Sequence, residues 1–241
     1  MKLLKAMAIA FSIYSKIPVP QFEWKEEDME YMMCFFPWIG GVIGLFFFGW
    51  AVLCEKFAVG NVCYALIGAA IPLMISGGFH VDGYMDTMDA FHSYQSREKK
   101  LEILKDSHIG AFAAIMLALY YMIDIAAISE IHTQKAVSAL AAVFFLARCF
   151  SGIAVMTLQP AKKEGLLYTF ASSAQKVRVK AALYFQAALC VVLMLLVSGW
   201  YGAAAIGAAL LSFFYFKKKS YKELGGITGD TAGFFVTVCE A

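Results

Sequence analysis

Charge is what this 241-residue sequence has little of: Asp, Glu, Lys and Arg make up 16%, while hydrophobic residues reach 61%. A water-soluble domain is nearer a quarter charged. Too little polar surface remains to cover one, and the mean hydropathy of +0.68 agrees. No C-x-x-C pair occurs among the six cysteines (Cys34, Cys54, Cys63, Cys149, Cys190, Cys239), most of which lie inside apolar runs. They read as small buried hydrophobes rather than disulfides or zinc ligands. No small-residue cleavage site follows the apolar N-terminal stretch, which sets aside a signal peptide. No convincing internal repeat is present. Deep polar groups are limited to Asp124 and Arg148, which argues against a transporter.

What is present is a series of apolar runs of the length that crosses a bilayer as a helix. They cover residues 35–54, 62–79, 110–129, 136–158, 181–197 and 200–216. The expected fold is therefore an all-α integral membrane protein. One domain over residues 1–241 would hold a bundle of six complete transmembrane helices. Residues 3–17 are apolar but interrupted by Lys5 and Lys16 and stopped by Pro18 and Pro20. They read as an N-terminal interfacial helix. A further apolar run begins at Thr231, the start of another C-terminal helix.

The basic residues alternate with these runs. Seventeen of the 20 Lys and Arg fall in the N-terminal segment, the loops after the second and fourth runs, and the stretch after the sixth. Lys56 and Lys135 stand on the other side, and Arg148 lies within the fourth run. By the positive-inside rule the basic side is cytoplasmic. The expected location is the cytoplasmic membrane of a bacterium or archaeon, with those loops inside the cell. Topology accounts for the basic residues, so nucleic-acid binding has no support.

The chemistry concentrates after the second run, in S-G-G-F-H-V-D-G-Y-M-D-T-M-D-A-F-H from Ser76. Asp82, Asp86 and Asp89 are spaced i, i+4, i+7. On a helix they share one face within about 60°. Three carboxylates on one face repel unless a cation sits among them. Hard oxygen ligands favour Mg²⁺, Mn²⁺ or Ca²⁺, and Mg²⁺ usually bridges carboxylates to substrate phosphates. The bland reading is a solvated acidic helix end. Gly77, Gly78 and Gly83, which let a backbone approach a ligand closely, and the nearby His80 and His92 weigh toward a metal–phosphate site. Lys105, Asp106, Ser107 and His108 form a second polar cluster. Asp106 is a candidate fourth ligand. Lys105 and His108 are candidate phosphate donors, though Lys105 alone reads as an interface anchor.

These blocks resemble one family. G-G-F-H-V-D-G-Y-M-D-T-M-D-A followed by L-K-D-S-H-I-G is similar to the two signature blocks of the cobalamin synthases, the adenosylcobinamide-GDP ribazoletransferases. S-K-I-P-V-P near the N-terminus, F-P-W-I-G-G-V-I-G at the first span, Arg148, A-K-K-E-G-L at 161–166 and G-G-I-T-G-D-T-A-G at 225–233 fit the same family in order. Three departures stand out. His108 replaces a frequent Arg, Lys162 and Lys163 replace the usual Arg context, and the last helix is not completed by Ala241.

The resemblance implies an Mg²⁺-dependent phosphotransfer in the last steps of vitamin B12 biosynthesis. The substrates would be adenosylcobinamide-GDP and α-ribazole or its 5′-phosphate, and GMP would leave. The candidate catalytic residues are His80, Asp82, Asp86 and Asp89. Asp82, Asp86, Asp89 and Asp106 form the candidate metal set. Lys105, Ser107, His108, Arg148 and Asp230 are candidate substrate contacts. His80 reads equally as a cap or supporting residue, and Asp230 as a helix cap. Arg148, mid-span, lines a polar cleft or pairs with Asp124. Partners are these small molecules and the lipid bilayer, with an oligomer open. A CDP-alcohol phosphotransferase would use aspartates and Mg²⁺ in the same way, but its D-G-x-x-A-R signature is absent. A transporter is the alternative of another class.

Overall fold

A computed structural model describes residues 2–20, 23–162 and 166–241. Lys163, Glu164 and Gly165, part of the 161–166 element, lie outside the described residues. The described chain is all helical apart from an isolated bridge between Pro160 and Ile227. In order the helices are α1 (Lys2–Tyr14), α2 (Phe36–Lys56), α3 (Asn61–Ser76), α4 (Phe79–His92), α5 (Arg97–Ile103), α6 (Ala111–Ile128), α7 (Gln134–Thr157), α8 (Leu166–Ser173), α9 (Lys176–Ser198), α10 (Trp200–Leu224) and α11 (Gly229–Glu240). Two short 3₁₀ turns, Glu26–Met29 and Met32–Cys34, join α1 to α2.

Helix ends follow local chemistry. Thr133 caps α7 by accepting the Ala136 N–H at 3.2 Å, a role suited to a β-hydroxyl residue. Pro37 stands in the first turn of α2, where its missing N–H costs nothing. Gly77 closes α3 in the left-handed region at φ 68°, and Gly78 follows at φ 85°. A side chain at either position would be strained.

Among the described residues, four helices are long and apolar enough to cross a membrane, namely α2, α6, α7 and α9, or up to five if the α3–α4 pair counts as one span. The protein is a multi-pass membrane protein of apolar helices. A helix occupies each of the six expected runs, with two differences. The second run does not continue to 79, because the Gly77–Gly78 corner stops α3 after 16 residues and turns the chain by 98° into α4. The sixth does not stop at 216; α10 continues through Lys217–Lys219 to Leu224. Lysine is a good helix former, so the end of an apolar run need not end the helix.

The central post is α7, with 72% of its apolar window buried against 17% for α6. Gly40 and Gly44 of α2 lie on its backbone. A Cβ there would stand 2.0 Å from the Phe144 carbonyl oxygen and 2.1 Å from that of Ala141. This four-residue spacing of small residues lets two helices touch where lipid offers no hydrophobic drive for association. Ile115 and Met122 of α6, Phe185 and Leu196 of α9, and Leu211 and Phe214 of α10 face outward, as lipid contact requires.

The expected interfacial helix is α1, which stops before Pro18 and buries Ala6, Ile9, Ala10 and Tyr14. The run from Thr231 forms α11. Thr228 caps it, accepting the Thr231 N–H at 3.1 Å. This helix is buried against α4, α7 and α10.

Candidate functional site

The acidic block does form a helix. At 14 residues, three of them Asp, α4 is set at 98° to α3. It lies across the end of α3 and packs on α11 and α6.

Gly83 makes the first of these contacts possible. A Cβ there would meet the Asp230 carbonyl oxygen at 2.8 Å, and one at Gly233 would meet the His80 carbonyl oxygen at 3.1 Å. The two backbones thus pack through paired glycines, and Asp82 and Asp230 come together from segments far apart in sequence. Close approach of a ligand was the expected use of these glycines. The observed uses are a corner at Gly77–Gly78 and helix-on-helix contact at Gly83.

A cavity of about 490 Å³ opens beside this crossing. Its polar lining includes His80, Asp82, Lys105, Lys162, Thr228 and Asp230, and Tyr14, Phe36, Phe79 and Phe170 supply aromatic walls. Lys162 reaches it after donating to the Leu101 carbonyl at 2.7 Å. Thr228 donates to Asp230 at 3.4 Å. The segments carrying these two residues are held together by the Ala161 N–H donating to Ile227 at 2.8 Å and the Ile227 N–H donating to Gln159 at 3.0 Å.

Four of the expected residues therefore share one cavity: His80, Asp82, Lys105 and Asp230. The others stand elsewhere. Asp89 accepts the Gly110 N–H at 2.7 Å and the Ala113 N–H at 2.8 Å. Gly110 is the N-cap of α6 and Ala113 its third helical residue, so one carboxylate satisfies both donors that a capping box would. Asp106 is exposed and accepts from the backbone and ring nitrogens of His108 at 3.0 and 2.6 Å. Ser107 and His108 are exposed and do not line the cavity. His92 bonds the Met88 carbonyl oxygen at 2.8 Å and stacks on Phe112.

Arg148 is fully buried, bonds the Phe144 carbonyl at 2.8 Å and pairs with Glu240. The expected alternative partner was Asp124. Sequence distance hid the real one, 92 residues away.

Charge and burial tune these groups. Burial pushes the Asp86 carboxyl up to about 7, aided by the negative charges of Asp82, Asp230 and Asp89. Burial also raises Asp230. Burial, then the Arg148 charge, holds His80 well below the usual imidazole range. His80 is 4% exposed, and neither ring nitrogen has a hydrogen-bond partner. Among the described residues, no three His, Cys, Asp or Glu side chains stand ready to hold a metal ion.

Residues 6–241 match the family model described as cobalamin-5-phosphate synthase. The chain belongs to this family. A relative from Lachnoclostridium phytofermentans, named adenosylcobinamide-GDP ribazoletransferase, is 44% identical over all of this chain and 92% of its own length. Relatives of the same name from Clostridium botulinum strain Alaska E43 and Geotalea daltonii are 31% and 30% identical. They cover 99% and 96% of this chain, and 94% and 92% of their own. No solved structure matches.

The cobalamin synthase blocks thus meet around one cavity, which also gathers residues outside the expected site: Tyr14, Phe36, Phe79, Phe170, Ser151 and Thr228. Thr228 lay within the 225–233 block, where the T-G-D order was a signal. The aromatic residues gave none, because rings in apolar helices look like core.

Proposed function

We propose that this cobalamin synthase joins adenosylcobinamide-GDP to α-ribazole or its 5′-phosphate and releases GMP. The observation that carries this reading is the single cavity in which Asp82, Asp230, Lys105 and Lys162 meet beside aromatic walls. The two lysines suit an anionic pyrophosphate, the carboxylates suit a cation that would accompany it, and rings suit a nucleoside. The family description, which names a 5-phosphate product, and the relatives' shared name support the same reaction.

In the reaction the ribazole hydroxyl oxygen bonds the phosphorus on the cobinamide side. The bond from that phosphorus to the GMP oxygen breaks, and GMP leaves with the electron pair. A carboxylate of the acidic face, or His80, takes the hydroxyl proton. Lys105 and Lys162 bring positive charge to the phosphate oxygens.

Among the described residues the acidic side chains form no ready-made cation site, so a divalent cation would have to draw them together. Burial is the main cause of the raised Asp86 carboxyl, and the negative charges of Asp82, Asp230 and Asp89 add a smaller part that a cation would relieve. Mg²⁺ is the ion we propose, with Asp82, Asp86 and Asp230 turning to hold it. Asp89 and Asp106, engaged by α6 and His108, would have to give up those bonds to join. When bound, the ion would stabilise charge developing on the leaving phosphate.

The same reading keeps six crossings, with α3 and α10 completing the set, in the cytoplasmic membrane. The cavity then faces the cytoplasm. The basic residues flanking α4, α5 and the end of α10 support that side.

The test is to incubate purified protein in lipid with adenosylcobinamide-GDP, α-ribazole and Mg²⁺ and to follow GMP. Release of GMP with formation of the nucleotide-loop product is expected. Absence of both in folded protein would refute the proposed reaction.

A further inference from the structure

The side chains lining the cavity sort into two groups. Thr228, Asp230, Asp82 and the two lysines form a charged group. The other group is a cluster of rings centred on Tyr14. Phe36 stands 4.5 Å from it between centroids, Phe79 5.1 Å, His80 6.0 Å and Phe170 6.2 Å. The His80 ring is parallel to that of Tyr14 within 3°. It also lies 5.7 Å from Phe36 and 5.6 Å from Phe79. These rings come from α1, α2, α4 and α8, so four separated segments converge on one place.

A pure packing role fails to explain His80. A buried imidazole normally finds a partner for its N–H, because an unmade bond leaves its desolvation uncompensated. Here both nitrogens lack one, although the residue lines an open cavity. A ligand that brings an acceptor into this aromatic site would give the ring N–H its partner.

We propose that this ring cluster seats the planar base of the ribazole, with His80 donating its ring N–H to the base's free ring nitrogen. The inference rests on the reaction proposed above and adds where one substrate sits. A ribazole base is a fused benzimidazole ring system, apolar along its outer edge, with one nitrogen free to accept once the sugar occupies the other. The ring cluster offers few polar groups, the His80 N–H and the Tyr14 hydroxyl, which matches a base with one free acceptor. The guanine of the GDP moiety does not fit, because its carbonyl, amino and ring N–H groups would be left unpaired against phenyl walls. The corrinoid is larger than the space enclosed. With the base in the ring cluster, the ribose points to the charged group, where the hydroxyl must attack. His80 is then committed to the base, and the hydroxyl proton passes to a carboxylate.

The experiment uses the full chain in lipid nanodiscs with two ribosides: α-ribazole, and an analogue in which the free ring nitrogen is a C–H. Binding is followed by calorimetry and turnover by GMP release. Phe170→Leu and Tyr14→Leu keep apolar bulk but remove a ring. Each is expected to raise the KM for α-ribazole about 10-fold, the scale of a lost aromatic pairing, while the KM for adenosylcobinamide-GDP does not follow.

Wild-type protein should bind α-ribazole at least about 10-fold more tightly than the C–H analogue. His80→Leu should erase that preference, and His80→Asn, which keeps a donor, should retain part of it. Thermal unfolding of each variant reports whether it is folded.

Three results would overturn the proposal: a wild type that does not distinguish the two ribosides, a His80→Leu variant that still distinguishes them, or ring variants that raise the KM for adenosylcobinamide-GDP instead. A wild type that binds α-ribazole with this preference but releases no GMP upholds the base seat and refutes the reaction. A wild type that neither binds nor turns over refutes both.

Discussion

Asp89→Asn should separate the three aspartates of α4 by what each one does. The sequence treats Asp82, Asp86 and Asp89 as equivalent members of one acidic face. The structure gives Asp89 a different duty, since its two oxygens accept the Gly110 and Ala113 amides at 2.7 and 2.8 Å. The α6 N-terminus has no side-chain cap of its own, because its N-cap residue is Gly110. The glycine leaves room for the carboxylate: a Cβ would stand 2.5 Å from Asp89 and push it aside. Asparagine keeps the size but offers one acceptor oxygen where two are used, and it removes the charge that favours a helix N-terminus. The lost cap should cost about 1–2 kcal/mol, with about 0.3–1 kcal/mol more from the helix dipole. The assay is thermal or denaturant unfolding in one detergent, with hydrogen exchange at the first turn of α6. Asp89→Asn should unfold earlier and lose protection at residues 110–113, whereas Asp82→Asn and Asp86→Asn should not. Gly110→Ala should reproduce the defect by displacing the carboxylate. If Asp89→Asn is as stable and as protected as wild type but inactive, the capping argument is wrong and Asp89 belongs with the metal group.

Arg148→Met alone should destabilise by about 3–5 kcal/mol by stranding the buried Glu240, and adding Glu240→Leu should restore folding. An active double variant would remove Arg148 from the substrate contacts. In metal-free protein, Asp86→Asn should stabilise the fold. Asp86 titrates at about 7 when folded, against an ordinary 3.8. The folded state therefore holds its proton longer, and wild-type stability falls as pH rises from about 4 to 7. The gain from Asn should grow over that window and level off above it, and a gain independent of pH would refute the assignment. Gly83→Val should cost about 1–3 kcal/mol by overpacking and reduce turnover, read from unfolding and GMP release together. A single cysteine at Lys99 should resist impermeant label from outside intact cells while one at Lys135 reacts; the reverse pattern would invert the orientation.

Helices were the most legible part of the sequence, because an apolar run long enough to cross lipid has one backbone solution. Their ends were less so. The second run extends through Ser76 to Phe79 without a polar break, and only two adjacent glycines mark the corner that turns α4 aside. The sixth run loses its apolar character at Lys217, yet the helix persists to Leu224 because lysines do not break it. The site was legible where residues are close in sequence. Asp82 and His80 lie within one helical turn, and both line the cavity. Spacing along one helix could not show that Asp89 turns to α6 while Asp82 meets Asp230, because that division depends on which neighbour packs against each side of α4.

The paired glycines explain why the division is sharp. Gly83 and Gly233 remove the side chains that would hold α4 and α11 apart, so Asp82 reaches Asp230 across a backbone contact rather than across a layer of side chains. On the α6 side, the Asp89 oxygens accept two backbone amides. The acidic face is thus charged toward α11 and satisfied toward α6. Only the first arrangement stores the repulsion that a cation or a substrate's cationic partner can discharge. That asymmetry sets Asp82 at the cavity and makes Asp89 the anchor that ties α4 to the start of α6.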